Sequence, residues 1–276
     1  MRPREISRSI TAFAVRTPTL TPATHTNSYA LGGRDVLLVE PSTPYDDERR
    51  AWIAWVDALR SSGRVPKAIF VTHHHEDHVG GAAFLARETG LPLWGHELTA
   101  AKVDAPFARR LVDGDVIELD GPIPERWEVL HTPGHAPGHL CLVERTERAV
   151  VVGDMVASEG TILIAPGEGH MKTYLEQLER LARLDAAVAL PAHGAPIEAP
   201  EKLFRHYVSH RLAREAKVLA ALRSLGGGTI AELVPIAYDD TPKAMWPFAS
   251  MSLEMHLEKL VEDGVAKKEG GRWRAV

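Results

Sequence analysis

The chain has 276 residues, enough to bury a full core in one large domain or in a large domain with a small companion. Its composition, 45% hydrophobic and 25% charged, excludes a disordered chain, and the single cysteine, Cys141, excludes an internal disulfide framework. No run of about 18 apolar residues offers a membrane span, and the net charge of −5 argues against a protein dedicated to nucleic-acid backbones.

The basic start, Met1 to Arg8, is not followed by an unbroken apolar stretch, so it does not read as a signal peptide and a cytoplasmic protein is expected. Short β-branched runs at 35–39, 67–71, 127–131, 139–143, 148–152 and 187–190 predict strands. Between them Trp52, Val56 and Leu59 recur at helical spacing, as do Leu175, Leu178 and Leu181. Such alternation implies a layered α/β domain over residues 1–199, with a linker near 196–200. From Pro200 onward the texture changes. Twelve Lys plus Arg stand against ten Asp plus Glu, a net +2, whereas the remainder carries −7. A helix is expected over 201–225, stopped by Gly226, Gly227 and Gly228. A short one follows over 231–234 behind the cap Thr229, and a third over 248–263. Residues 265–269 and 272–276 then form a hairpin turning at Gly270 and Gly271. Residues 200–276 thus read as a small, mainly α, winged-helix-like domain.

The chemistry lies in Thr72-His73-His74-His75-Glu76-Asp77-His78, placed between an apolar strand and a helical pattern. His and Asp are ligands for zinc or iron. Alternate residues of an extended loop point the same way, so His73 and His75 can share one ion while His74 points elsewhere. Asp77 and His78 lie at the turn into the helix, within reach of a second ion. His135, Asp154 and His193 recur in the same setting, each just past a strand end, so four segments converge on one sheet edge. Seven ligands exceed one four-coordinate zinc and fit two ions. His139 reads as a supporting residue or a plain strand residue, and Glu76 as exposed. His96, His206 and His256 read as structural or solvated. His25 and His131 have no assignment. Cys141, inside an apolar strand, reads as packing. His170 and Tyr174 are candidates for lining the substrate pocket.

This set, with Gly134-His135, Gly153-Asp154 and Ala192-His193-Gly194, resembles the metallo-β-lactamase superfamily, which implies an αββα sandwich with metals at one edge. By that resemblance His73, His75 and His135 hold one ion, Asp77, His78 and His193 the other, and Asp154 bridges them. The segment from Tyr207 to Glu215, with Thr241-Pro242 and Leu257 to Gly264, is similar to the beta-lactamase-like protein 2 family, whose members append a winged-helix-like domain. An animal member of that family acts as an endoribonuclease on single-stranded RNA. Where the superfamily has Asp-x-Gly after an early strand, this chain has Glu40-Pro41-Ser42, leaving Glu40 to support the site from behind.

The expected chemistry is hydrolysis by a hydroxide bridging two Zn²⁺ ions, with iron or manganese as alternatives, and with Asp77 orienting the nucleophile or moving protons. The same cage serves phosphodiesters, thioesters, esters and lactones. The family resemblance tilts the reading slightly to RNA. Lys267, Lys268, Arg272 and Arg274 would grip phosphates and Trp273 would stack a base. Equally, Trp273 would anchor the hairpin while the charges keep it soluble. The tail would otherwise cover the active-site edge or form a homodimer contact. Two rivals remain: a mononuclear iron dioxygenase of the persulfide-oxidising kind, and a nucleic-acid-binding regulator with a vestigial hydrolase domain.

Overall fold

A computed structural model describes residues 3–276. Runs such as Asp35–Val39 and Ala149–Gly153 lack period-two alternation because, in the structure, both faces of these strands are covered. The first sheet takes its strands in chain order: β1 (Arg4–Glu5), β2 (Ile10–Arg16), β3 (His25–Leu31), β4 (Asp35–Val39), β5 (Val65–Phe70), β6 (Leu93–Gly95) and β7 (Phe107–Arg110). It is antiparallel up to β4 and parallel from there on. The second sheet holds β8 (Val116–Leu119), β9 (Glu125–His131), β10 (Leu140–Glu144), β11 (Ala149–Gly153) and β12 (Val188–Pro191), with only the β11–β12 pair parallel.

Leu37, Phe70, Trp127, Val129, Leu142 and Val151 pack between the sheets. The outer face of the first sheet is covered by α1 (Asp46–Ser61), α2 (Glu76–Val79), α3 (Ala82–Thr89) and α4 (Glu97–Ala100). Of these, α1 buries Trp52, Trp55, Val56 and Leu59 at helical spacing. The six expected strands are all present, each within two residues of its predicted ends. Six others lie outside the expected set: β1 and β6 to β8 are short, β3 is polar, and β2, a largely apolar run of seven residues, is missing from it without such a reason.

Chain contacts sort into two compact units. One comprises the residues up to Thr132, Pro137–Thr161 and Asp185–Pro200; the other comprises Pro133–Ala136, Ile162–Leu184 and Glu201–Val276. These units are thus built from segments that alternate along the chain. Helix α5 (Met171–Ala182) sorts with the C-terminal helices α6 (Pro200–Ser224), α7 (Ile230–Ala237) and α8 (Trp246–Glu262). The reason is local: His170 Nε2 lies 2.8 Å from Glu262 Oε1, and Lys172 Nζ lies 3.1 Å from Asp263 Oδ1.

Thr229 caps α7 in a reciprocal box with Glu232, as its sequence position predicts. The terminal hairpin, β13 (Ala266–Glu269) and β14 (Arg272–Ala275), turns through Gly270 and Gly271, both in the left-handed region that such a two-residue turn requires. Trp273 is only 2% exposed and packs with Leu233, Val234, Leu253 and Leu257. It is an anchor and stacks no base. Lys267, Lys268 and Arg272 face Glu269, Glu254 and Glu232 at 3.0, 3.6 and 3.0 Å, so these hairpin cations are largely neutralised. Trp273→Ala is expected to destabilise this unit by about 3–5 kcal/mol. A chemical denaturation curve with an unchanged midpoint for its transition would refute that. Among the described residues no helix is long and apolar enough to cross a membrane.

Candidate metal centre

Strand β5 ends at Phe70, and the chain then runs extended through Thr72 before turning into α2 at His75. His73 is fully buried; its Nδ1 lies 3.0 Å from Thr72 Oγ1 and its Nε2 lies 3.0 Å from His75 Nδ1. With Nδ1–H given to Thr72, Nε2 keeps a lone pair facing the same space as His75. A little further on, Asp77 and His78 project from the first turn of α2.

The ring of His78 is fully buried, with its Nε2 3.7 Å from Asp77 Oδ1 and 3.5 Å from Asp154 Oδ1. From the end of β12, His193 brings Nε2 to 3.4 Å from both Asp77 Oδ2 and Asp154 Oδ1. The electrostatics are tight. Burial alone would raise the Asp77 carboxyl, but His78 and a hydrogen bond from His193 override it and bring the pKa down to about 2. Burial likewise opposes charge on His78 and His193. Asp77 and Asp154 outweigh it at both rings, with Glu40 adding to the effect at His78, and raise both imidazoles above their ordinary value.

These distances test whether metal ions fit. Bonds of about 2.0–2.2 Å to a tetrahedral ion set donor atoms roughly 3.3–3.6 Å apart. Three of the four nitrogen-to-oxygen separations given above for His78 and His193 against Asp77 and Asp154 fall in that range, and the fourth, His78 to Asp77, is 3.7 Å. Neither ring nitrogen of the buried His78 makes a hydrogen bond, an arrangement that costs free energy unless something else engages them. The donor set fits.

Supporting residues hold these side chains. Glu40, buried and at φ 60°, accepts the Thr72 N–H through Oε1 at 3.2 Å, and the same oxygen is 3.5 Å from His78 Nδ1. His139 Nε2 accepts the Asp154 N–H at 3.1 Å, while its Nδ1 meets Thr132 Oγ1 at 2.8 Å. Gly153, at φ 46°, passes so close to this ring that a Cβ there would lie 2.6 Å from His139 Nε2. The His193 turn is clamped by β3. Asn27 Nδ2 donates to the carbonyls of Pro191 and Gly194 at 3.0 and 2.8 Å, the Tyr29 hydroxyl donates to Pro191, and His193 Nδ1 donates to His25 O at 3.0 Å. Residue spacing alone does not single out Asn27, Tyr29, Thr72 or Thr132 as supports. The one signal for the β3 pair is a polar stretch, Thr26-Asn27-Ser28, inside a strand that is buried along nearly all its length.

His135 belongs to the segment that sorts with the second unit, and there its Nδ1 lies 3.0 Å from Leu163 O. Gly134 beside it, at φ 127°, leaves no room for a side chain: a Cβ would sit 2.4 Å from Tyr174 Cα. The two residues expected to line the pocket, His170 and Tyr174, lie at the start of α5. His170 is the N-cap of α5 and accepts the Thr173 N–H, whereas Tyr174 is fully buried. His74 faces Lys102 Nζ at 3.2 Å, and His96 stacks on His131 with ring centres 4.4 Å apart. Glu76 and His206 are exposed, His256 is fully buried in the helical unit, and Cys141 is packed inside β10.

Residues 21–193 match the model of the metallo-beta-lactamase superfamily, and residues 229–273 match that of the beta-lactamase associated winged helix domain. A beta-lactamase-like protein 2 homolog of Drosophila melanogaster is 28% identical over 252 residues, covering 87% of this chain and 83% of its own. An atrochrysone carboxyl ACP thioesterase of Aspergillus fumigatus is 27% identical over 230 residues, covering 79% of this chain and 69% of its own. Among solved structures, a metallo-beta-lactamase family protein from Thermus thermophilus superposes with a TM-score of 0.80 at 25% identity, over 99% of this chain and 100% of that one.

Proposed function

The chain belongs to the metallo-β-lactamase superfamily of hydrolases and carries the winged-helix domain associated with it, and from that premise we propose that it uses two divalent metal ions to hydrolyse thioesters. The observation that carries the two-ion reading is the second donor group. Donor atoms of Asp77, His78 and His193 lie within 4.8 Å of one another, and Asp154 stands against both rings at 3.4–3.5 Å. By the family resemblance, His73, His75 and His135 would hold the other ion and Asp154 would serve both. Nitrogen and carboxylate donors without a thiolate suit zinc, and iron or manganese are compatible with them.

When bound, such ions polarise the scissile carbonyl and bring the pKa of a coordinated water towards neutrality. The protein's own groups do the rest. Asp77, ionised at neutral pH, accepts a hydrogen bond from the attacking water and keeps a lone pair aimed at the carbonyl carbon. Glu40 Oε1 stands 3.5 Å behind His78 Nδ1, and the His193 turn is fixed by Asn27 and His25. Water adds to the carbonyl, the C–S bond breaks, and a carboxylic acid and a thiol leave.

The choice of thioester over RNA rests on two points. One of the similar proteins is a thioesterase, and the hairpin that would have held RNA has a buried tryptophan and three of its four cations paired with acids. The test is thiol release from an acyl-pantetheine thioester, followed with a chromogenic thiol reagent on protein carrying two ions per chain. Chelator-sensitive release is expected. No release, together with cleavage of a labelled single-stranded RNA, would overturn the thioester reading in favour of a ribonuclease.

A further inference from the structure

We propose that Arg211 of α6 is a positioning residue for the metal ligand His135; the inference rests on the metal-centre reading above. Arg211 is 5% exposed. Its Nη2 donates to the carbonyl oxygen of Ile162, its Nη1 lies 3.4 Å from Ser252 Oγ on α8, and its guanidinium carbon is 5.8 Å from the centre of the Tyr174 ring. The next carbonyl along, that of Leu163, is the one that meets His135 Nδ1 at 3.0 Å. A single buried piece of backbone, flanked by Ile162 and Ile164, is thus gripped by Arg211 and in turn orients the imidazole. With Nδ1–H committed to Leu163 O, Nε2 is left as the donor to metal.

A second support converges on the same loop. Tyr174, beneath the guanidinium, presents its backbone to Gly134, and the His170 N–H donates to Gly134 O at 2.8 Å. Arg211 therefore touches both structures that hold the four residues 133–136. Stability alone does not explain an arginine here. No carboxylate lies within 4.0 Å of it among the described residues, and its Nε has no hydrogen-bond partner. Burying an unpaired charge is expensive, and a methionine would fill the same space at lower cost. What the arginine adds is directed N–H groups. Arg214, almost one turn further on, is engaged elsewhere, with Ala237 O and Asp240.

The experiment titrates metal-free protein with Co²⁺ and reads stoichiometry, affinity and the visible absorption of each equivalent. Wild type is expected to bind two equivalents. Arg211→Met should weaken one of them by about 10–100-fold and change its spectrum. Arg211→Lys, which keeps one donor for Ile162 O, should recover part of the loss, and Arg214→Ala should leave both equivalents intact. Arg211→Met with wild-type affinity and spectrum would overturn the proposal. Equal weakening by Arg214→Ala would do the same, because it would mean general loosening of the unit. If Arg211→Met does not fold, Arg211→Lys carries the test, and unchanged binding there overturns the proposal. His135→Ala separates the two levels. If it binds both equivalents as wild type does, His135 is no ligand and the site reading falls together with this inference. If it loses one equivalent while Arg211→Met keeps both, only the role of Arg211 is overturned.

Discussion

Asp154→Ala is expected to lower kcat/KM for thioester hydrolysis by about 10³-fold or more while leaving the fold intact. Asp154 stands 3.5 Å from His78 Nε2 and 3.4 Å from His193 Nε2, and it also groups with His73 on the other side. In the proposed two-ion site Asp154 would be a ligand to both ions, and its loss would remove one ligand from each and free them from the separation of about 3.5–4 Å that two-metal catalysis uses. Several kcal/mol of transition-state stabilisation depend on that placement, and about 4 kcal/mol corresponds to roughly 10³ in rate. The backbone is held independently: the Asp154 N–H goes to His139 Nε2 whatever the side chain is. Circular dichroism should therefore match wild type. A variant that keeps two ions and a tenth of the activity would remove Asp154 from the bridging role.

Removing the metal should lower the melting temperature of the β-sandwich by about 10 °C or more. An ion that binds only the folded state stabilises it by about 4 kcal/mol at a free concentration of a thousand times Kd. In a unit of this size, about 1 kcal/mol moves Tm by about 2–4 °C. Physically, Asp77, Asp154 and Glu40 surround a fully buried imidazole, and without cations only the histidines compensate three enclosed carboxylates. Scanning calorimetry with and without chelator measures this directly, and Asp154→Ala should melt near the chelated wild type. Superposable scans for wild type, with loss of the ions verified, would show that the cluster does not depend on metal.

Most of the chemistry is legible in the linear chain. The candidate ligands announce themselves because His and Asp at such spacing are rare, and because their segments follow apolar runs that read as buried strands. Helices α6 to α8 and the Gly-Gly hairpin are readable for a similarly local reason: periodicity, caps and turn glycines act within a few residues. Strand β3 is not. Its sequence, His25 to Leu31, is polar where it is buried, and those polar groups make sense only through partners 12 to 167 residues away, such as Glu40 O, Pro191 O and Gly194 O. The hairpin cations illustrate the same limit. Lys268 and Arg272 look like a basic patch in a linear chain, and only folding sets them beside Glu254 and Glu232 and turns Trp273 inward.

By itself, then, the sequence determined the layered α/β class and the appended helical tail and named a candidate donor set, because composition, periodicity and residue spacing are short-range properties. Only the tertiary structure decided which residues hold the donors in place, where the second unit begins, and what Trp273, Tyr174 and His170 do. Those outcomes depend on contacts between segments far apart in the chain, which no local pattern encodes.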